Sequence, residues 1–250
     1  AVVVTATITD PDSTGAVSLA YQSVDPGSYI RLQDAAYNLP ANWTTLAMND
    51  SGTAGDAVAG DAVYSVTIPA GVQVHRRLVR YRITAADTLS NAVTVPYPDD
   101  EQPNFAYFCY NGIPSWTGAM RPTAFGGFPA TTPVTFPAPL LSSIEPYHLI
   151  ALDADVASCL YTGPADSTPY RGTLVYEGKV YDHITFNIRG IGSTRVSGKN
   201  KLAFKFNRAR DFRARDNWGR QYDSDWNSFG LDANASPWAA VHRGSAGVEE

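Results

Sequence analysis

RRLVRYRITAAD, residues 76–87, has the alternation that decides the fold class of the first half of the chain. Arg80 and Arg82 fall on one side of an extended strand and Val79, Tyr81 and Ile83 on the other, because successive side chains of a β-strand point to opposite faces. The period of two predicts a strand with one packed face and one wet face, as at the edge of a β-sandwich.

Segments of the same kind recur through the first hundred residues, at 2–9, 17–23 and 63–68, and each is bounded by Gly, Pro, Asp or Asn. Short strands at such spacing are typical of a β-sandwich. Alternating aromatic residues at 105–110 predict one last strand of this domain. Between about residues 97 and 140 Pro and Gly become frequent, which predicts an extended segment laid along a domain surface. We therefore place a first domain at 1–120 and a Pro/Gly-rich linker at 121–141.

The strand pattern resumes at Tyr147 and predicts a second domain at 142–250. Glu177 and Gly178 separate two alternating segments, which indicates a β-hairpin inside an antiparallel sheet. The stretch after Asn207 has mixed charges without a clean period and is interpreted as loop or short helix. The predicted fold class is mainly β: a β-sandwich followed by a β-rich (α+β) partial domain.

Charge is distributed unevenly along the 250 residues, whose formal net charge is −5. The first 140 residues contain 6 basic and 11 acidic residues, so this half would repel nucleic acid. No run of apolar residues is long enough to predict a membrane span. Cys109 and Cys159 are the two cysteines, and either a disulfide or two separate buried thiols fits that count.

The stretch NDSGTAGDAVAGDAVYSV, residues 49–66, alternates Asp50, Asp56 and Asp61 with glycines. Calcium takes six to eight oxygen ligands, and glycines let a short loop fold around one ion. The alternative is a metal-free loop, because Asp and Gly are common in turns. The stretch resembles the "DG…GDAxAGDGVY" segment of secreted bacterial Ig-like and choice-of-anchor modules, and TITDPD and RYRITAAD look like strands of such modules. That resemblance implies an extracellular Ig-like sandwich.

A second stretch, residues 181–212, places a glycine-containing turn between two strands and follows it with cations. Such a turn can hold phosphate oxygens, and the alternative is a plain hairpin with solvated basic residues. The candidate phosphate-binding residues are Arg189, Gly190, Gly192, Ser193, Lys199 and Lys201.

This stretch resembles the CotH kinase family through Tyr181-Asp182-His183, the Arg189-Gly190 turn that continues into Gly192-Ser193-Thr194, and Lys199 before a strand that ends at Phe206-Asn207. The family pattern is "YDxVxxRxRGxSS…KKSYKxxFN", and the match covers residues 142–250. The resemblance implies an atypical Ser/Thr protein kinase that uses ATP with Mg²⁺ or Mn²⁺, with Arg189, Lys199 and Lys201 on the nucleotide phosphates.

Two functions from different classes remain open. One is an extracellular or cell-surface kinase-like module carried on an Ig-like domain; the acidic half of a kinase site is not evident, so the sequence leaves enzymatic activity open. The other is a non-catalytic structural or adhesive subunit that binds other surface or coat proteins and self-associates through β edges. A third reading is a calcium-stabilised carbohydrate-binding module, based on the aspartate loop and the tryptophans as sugar-stacking platforms.

Overall fold

The computed structural model describes residues 1–124, 126–143, 145–162, 168–190, 200–216, 218–231 and 248–249. The chain divides into two compact units, Ala1–Asn111 and Gly112–Glu250. Antiparallel strands dominate both units, so the prediction of a mainly β fold is confirmed. The first unit ends at Asn111, whereas the first domain is predicted to end at residue 120. Residues 121–141, predicted as a linker, belong to the second unit.

The first unit contains seven strands, one short helix and two 3-10 turns. They are β1 (Val2–Thr7), β2 (Thr14–Val24), α1 (Ala35–Asn38), a turn at Pro40–Asn42, β3 (Thr44–Ala47), β4 (Val63–Ile68), a turn at Ala70–Val72, β5 (Leu78–Asp87), β6 (Ala92–Val95) and β7 (Phe105–Phe108).

Two sheets face each other across the core of this unit. Strands β1 and β4 form one sheet, and the other has the order β3-β2-β5-β6 with β7 also paired to β5. Val4 and Ile68 of the small sheet pack in one cluster with Leu19 and Val79 of the large one. Two sheets that share a buried layer of alternating side chains form a β-sandwich.

The sequence predicts β5 as an edge strand with one face exposed to solvent, and this prediction is wrong. It is central: β2 pairs with one side of it, and β6 and β7 pair with the two halves of the other side. Leu78 and Arg80, on the face predicted to be wet, are both fully buried. The connection between β2 and β3 covers that face, because Tyr29 and Tyr37 lie against the Arg80 guanidinium.

Arg80 is accommodated in this interior by acceptors and aromatic rings. Its Nη1 donates to Oε1 of Gln22 at 3.0 Å and to the carbonyl of Ile30 at 2.8 Å. Its Cζ lies 5.1 Å from the centroid of Tyr29 and 5.7 Å from that of Tyr37. A buried guanidinium is tolerated when its donors are satisfied and rings face its charge. Arg80 therefore ties the connection to the sheet.

The second unit begins with a hairpin and ends with a larger sheet. Its elements are β8 (Trp116–Gly118), β9 (Val134–Phe136), α2 (Ala138–Leu141), β10 (His148–Ala151), α3 (Asp153–Ala157), a π-helical turn at Ser158–Thr162, β11 (Tyr170–Tyr176), β12 (Lys179–Arg189), β13 (Lys201–Lys205), β14 (Ser228–Leu231) and β15 (Val248–Glu249).

Strands β10 to β15 form one antiparallel sheet in sequence order. The predicted hairpin is confirmed: Tyr176 pairs with Lys179 across Glu177 and Gly178, whose φ angles are +46° and +75°. Two positive φ angles fit a two-residue type I′ turn. Residues 208–230 are interpreted from the sequence as loop or short helix; this is wrong for residues 228–230, which belong to strand β14 because they pair with β13. The described part before β14 forms an irregular excursion closed by isolated bridges between Phe212 and Trp226 and between Arg215 and Gln221.

Aromatic rings fill the core on one face of this sheet. The ring of Phe212, at the start of the excursion, has its centroid 4.5 Å from that of Phe229, 5.2 Å from those of Tyr176 and Phe206, and 5.4 Å from that of Tyr181. Aromatic pairs at such separations stabilise a core beyond simple burial. The excursion is thereby held against the sheet.

We expect replacement of Arg80 by Ala to lower the free energy of unfolding by about 3 kcal/mol, because it opens a cavity and leaves the acceptors on Gln22 and Ile30 without their donor. Arg82→Ala, on the same face of β5, is the matched control; its Cζ lies 4.2 Å from the Trp43 ring, and we expect a loss of about 1 kcal/mol. Urea unfolding measures both. Equal, small losses for the two variants would contradict the buried role of Arg80.

Candidate functional site

A one-residue bulge in β12 determines which side chains form the candidate site. The register between β11 and β12 shifts between Gly172 and Leu174, so that Asp182 and His183 together oppose Thr173. Tyr181 and Ile184 are each 1% exposed and belong to the same core cluster. In a regular strand two residues three apart point to opposite faces, and the extra residue of the bulge returns both to the core.

Asp182 holds the bulge together. Its Oδ1 accepts hydrogen bonds from the Thr173 hydroxyl at 2.5 Å and from the His183 backbone N–H at 2.9 Å. Asn207 donates to the Asp182 carbonyl at 2.8 Å. His183 takes the left-handed conformation, with φ +56°, and both Asp182 and His183 are buried. Asp182 and His183, which belong to the Tyr181-Asp182-His183 motif, therefore form and stabilise the bulge in β12.

Beyond the bulge, β12 turns its polar residues to the face opposite the aromatic core. Ile184, Phe186 and Ile188 are buried in the core cluster, so the residues between them, ending with Arg189, point the other way. Arg189 pairs directly with Lys201 on β13. Directly paired residues of antiparallel strands share a face. The bulge thus places these two cations side by side.

Two further cations occupy the same face. Thr185 of β12 pairs with Arg171 on one side and with Lys205 on the other. Arg171 and Lys205 are exposed, whereas Arg189 and Lys201 are half-buried. We call Arg171, Arg189, Lys201 and Lys205 the basic face. Within strands β10 to β14 Asp182 is the one acidic residue against five cations, and β15 at the end of the sheet adds Glu249, whose backbone pairs with Gly230.

Arg189 lies across β13 onto Gly230 of β14. A Cβ atom at Gly230 would stand 2.5 Å from Nη1 and 3.1 Å from Cδ of Arg189. Ala203 of β13 pairs with Gly230, so two small residues leave the space that the arginine occupies. Any larger residue at 230 would push the guanidinium away.

The structure brings together three of the six predicted phosphate residues. Arg189, Gly190 and Lys201 meet at the ends of β12 and β13, and Gly190 has φ +78°. Gly192, Ser193 and Lys199 lie outside the described residues, so their role stays a prediction. Sequence reasoning missed Lys205 and Arg171. Lys205 could have been found, since it stands four residues after Lys201 in one strand and shares its face.

The three aspartates predicted as metal ligands meet in the loop between β3 and β4. Asp50, Asp56 and Asp61 each bring a carboxylate oxygen within 4.8 Å of the other two. Asp56 is buried and Asp61 is exposed. Within the described part of the chain this is the only group of three or more His, Cys, Asp or Glu side chains close enough to share a metal ion.

Hydrogen bonds of the loop itself hold these carboxylates. Asp50 accepts through Oδ1 from the backbone N–H groups of Gly60 at 2.7 Å and Asp61 at 3.2 Å, and through Oδ2, which keeps a lone pair, from that of Ala62 at 3.0 Å. Asp56 accepts from the N–H of Gly52 at 2.6 Å, and Asp61 accepts from that of Val63 at 2.9 Å. An all-oxygen donor set fits a hard cation such as Ca²⁺, and a carboxylate oxygen that accepts one hydrogen bond keeps another lone pair. The residues present therefore fit calcium.

Three further observations concern the two cysteines, Asp225 and the helices. Cys109 and Cys159 lie one in each unit, and they are not joined by a disulfide. In the excursion after β13, Oδ2 of Asp225 lies 3.3 Å from Nε of Arg213. Among the described residues no helix has the length and apolar character needed to cross a membrane.

Comparison with protein-family models, with curated proteins and with solved structures gave no match to this chain.

The calcium expectation is tested by thermal unfolding in 1 mM EDTA and in millimolar CaCl₂. If the aspartate loop binds Ca²⁺, we expect the ion to raise the melting temperature, because a ligand that binds only the folded state stabilises it. Asp61→Asn should abolish that rise, since it removes an exposed ligand whose carboxylate has one described partner, Val63 N–H. Asp12→Asn, an exposed aspartate outside the loop, is the control. The same melting temperature with and without calcium would leave a metal-free loop.

Proposed function

We propose that the chain is an extracellular or cell-surface CotH-like protein whose second unit binds the phosphates of ATP with Mg²⁺ or Mn²⁺, as an atypical Ser/Thr kinase module carried on the β-sandwich. The observation that carries the proposal is the basic face. Arg189 and Lys201 stand side by side at the end of β12 and the start of β13.

The geometry of the basic face suits a polyphosphate. Neighbouring strands lie about 4.8 Å apart, so Arg189 and Lys201 are close enough to contact one phosphate group together. Lys205 stands four residues along β13, about 13 Å from Lys201 at about 3.3 Å per residue, so the face extends over several phosphate-sized groups. Phosphoryl transfer depends chiefly on positioning and on neutralising charge, and cations of a rigid sheet serve both purposes.

Among the described residues of the second unit no group of side chains is close enough to hold the metal of this proposed activity. A divalent ion bound with the nucleotide would neutralise part of the phosphate charge. The residues of this chain contribute cations on the sheet, and Gly230 supplies the room for Arg189. Binding of the nucleotide phosphates is therefore the part of the proposed function that rests on described residues.

Thermal unfolding with millimolar ATP and Mn²⁺ tests the proposal. We expect stabilisation by about 1.4 kcal/mol when ATP is present at ten times its Kd. Lys201→Met should remove most of it. Gly230→Ala should also reduce it while changing the stability without ATP little, because the added methyl displaces only the flexible end of Arg189. Arg220→Gln is the matched control, since Arg220 is highly exposed and lies outside the sheet. No stabilisation by ATP, or equal stabilisation of all variants, would refute nucleotide binding at the basic face.

The structural or adhesive alternative has one observation in its favour. Strand β6 stands at the edge of the large sheet, and in the described residues it pairs with β5 alone. Its side chains Val93 and Val95 are 46% and 36% exposed. An exposed, β-branched edge strand is a template for strand addition from another chain.

If β6 mediates self-association, sedimentation velocity should show concentration-dependent oligomers that Val93→Lys abolishes, because a charge on an edge strand opposes pairing. Thr94→Lys is not a suitable control, since the Thr94 hydroxyl bonds to Thr84 at 2.8 Å. Leu89→Lys, at an exposed turn before β6, serves instead. A monomer at all concentrations would remove support for this alternative and leave the nucleotide proposal untouched.

A further inference from the structure

The first unit contains an open groove of about 590 Å³ that neither the basic face nor the aspartate loop includes. It lies where β7 ends, beside the segment that precedes β5. Its lining side chains include Gln73, His75, Tyr107, Cys109, Tyr110 and Asn111. Small-molecule sites are commonly clefts of about 300–1,000 Å³ with aromatic walls and a few placed polar groups, so the size and lining of this groove match such a site.

Three rings form one wall of the groove. The Tyr110 ring is near-parallel to two neighbours: the centroid of His75 is 5.8 Å away at an interplanar angle of 29°, and that of Phe108 is 5.9 Å away at 19°. Tyr110 remains 39% exposed. Near-parallel packing on both neighbours fixes the orientation of the tyrosine ring, so its exposed part is a preformed apolar surface.

Polar groups beside the rings are also held in place. The Gln73 carboxamide donates from Nε2 to the Tyr107 hydroxyl at 3.0 Å and to the Pro69 carbonyl at 3.3 Å, and its Oε1 accepts from the Cys109 thiol at 3.3 Å. A lone pair of Oε1 is therefore what Gln73 can offer to a ligand hydroxyl. Nδ1 of His75 accepts from the backbone N–H of Asn111 at 3.0 Å. The neutral imidazole therefore carries its proton on Nε2, which makes that nitrogen a donor.

No carboxylate, guanidinium or ammonium side chain lines the groove, and the α-amino group of Ala1 is the one cationic group among its lining residues. Burial raises the pKa of the Tyr107 hydroxyl and that of the Cys109 thiol, so both groups are uncharged at neutral pH. Apart from that amino group the lining consists of neutral donors and acceptors, and it has no charged side chain with which to select an anion or a cation. It suits a ligand that combines apolar faces with many neutral hydroxyl groups.

We propose that this groove binds a neutral saccharide, with one sugar ring packed against Tyr110 and its hydroxyls hydrogen-bonded to Gln73, His75 and Asn111. The face of a pyranose is apolar C–H surface, which packs on an aromatic ring, while its hydroxyls pair with amides and imidazole. The site would anchor the sandwich to a neutral glycan. It is independent of the nucleotide proposal, since its residues lie in the other unit.

Isothermal titration of the whole chain with cellohexaose, xylohexaose and chitohexaose tests this site, with polygalacturonate as the anionic comparison. We expect at least one neutral oligosaccharide to bind and Tyr110→Ala to weaken it about tenfold, while Tyr110→Phe retains most of the affinity because the ring stays. Tyr97→Ala, which removes a tyrosine 57% exposed and outside the groove, is the matched control and should bind like the unmodified chain.

Thiol labelling gives a second readout that does not depend on heats of binding. Cys109 lines the groove, whereas Cys159 is 1% exposed, so the faster-reacting thiol of the folded chain is Cys109. The bound oligosaccharide should slow its reaction with a disulfide reagent, and Tyr110→Ala should relieve that protection. Three outcomes overturn the proposal: no neutral oligosaccharide binds at millimolar concentration, Tyr110→Ala binds as tightly as Tyr97→Ala, or polygalacturonate alone binds.

Discussion

The one-residue bulge at Asp182 and His183 is the constraint on which the second unit depends. Side chains of a strand alternate strictly, so the face of every residue after the bulge is set by that single insertion. Without it, Tyr181 and Arg189 would share a face, and the arginine would point into the aromatic core. The hydrogen bonds that Asp182 accepts from Thr173 and His183 therefore determine both the packing of the core and the position of the cations.

The same alternation makes one sheet serve two purposes. Its aromatic face is sealed by the excursion that Phe212 anchors, and its opposite face displays the cations on β11, β12 and β13. The side chains that stabilise the core and those proposed to bind a ligand therefore lie on opposite faces of one sheet. Small residues such as Gly230 make this arrangement less stable, because a glycine contributes little packing to a strand.

Features that depend on neighbouring residues could be predicted from the sequence, whereas features that depend on contacts between distant segments could not. The turn at Glu177 and Gly178 is predicted by a two-residue gap with a glycine between two alternating segments. The three aspartates of the first unit meet because one short loop carries them. Burial of Arg80 depends on a connection that starts at residue 25 and folds back over the sheet, and no period in the strand itself reveals this. The bulge was missed for a similar reason, since it interrupts the period that predicts strands.

Burial of Arg80 also couples two parts of the first unit that could otherwise come apart. Connections on a protein surface often open locally while the sheets beneath them stay folded. Here, lifting the connection would expose the face of β5 and strip the guanidinium of the Ile30 carbonyl and the rings of Tyr29 and Tyr37. Opening of the connection and unfolding of the sandwich thus become a single cooperative event. Proteolysis within the connection would then require global unfolding of the first unit.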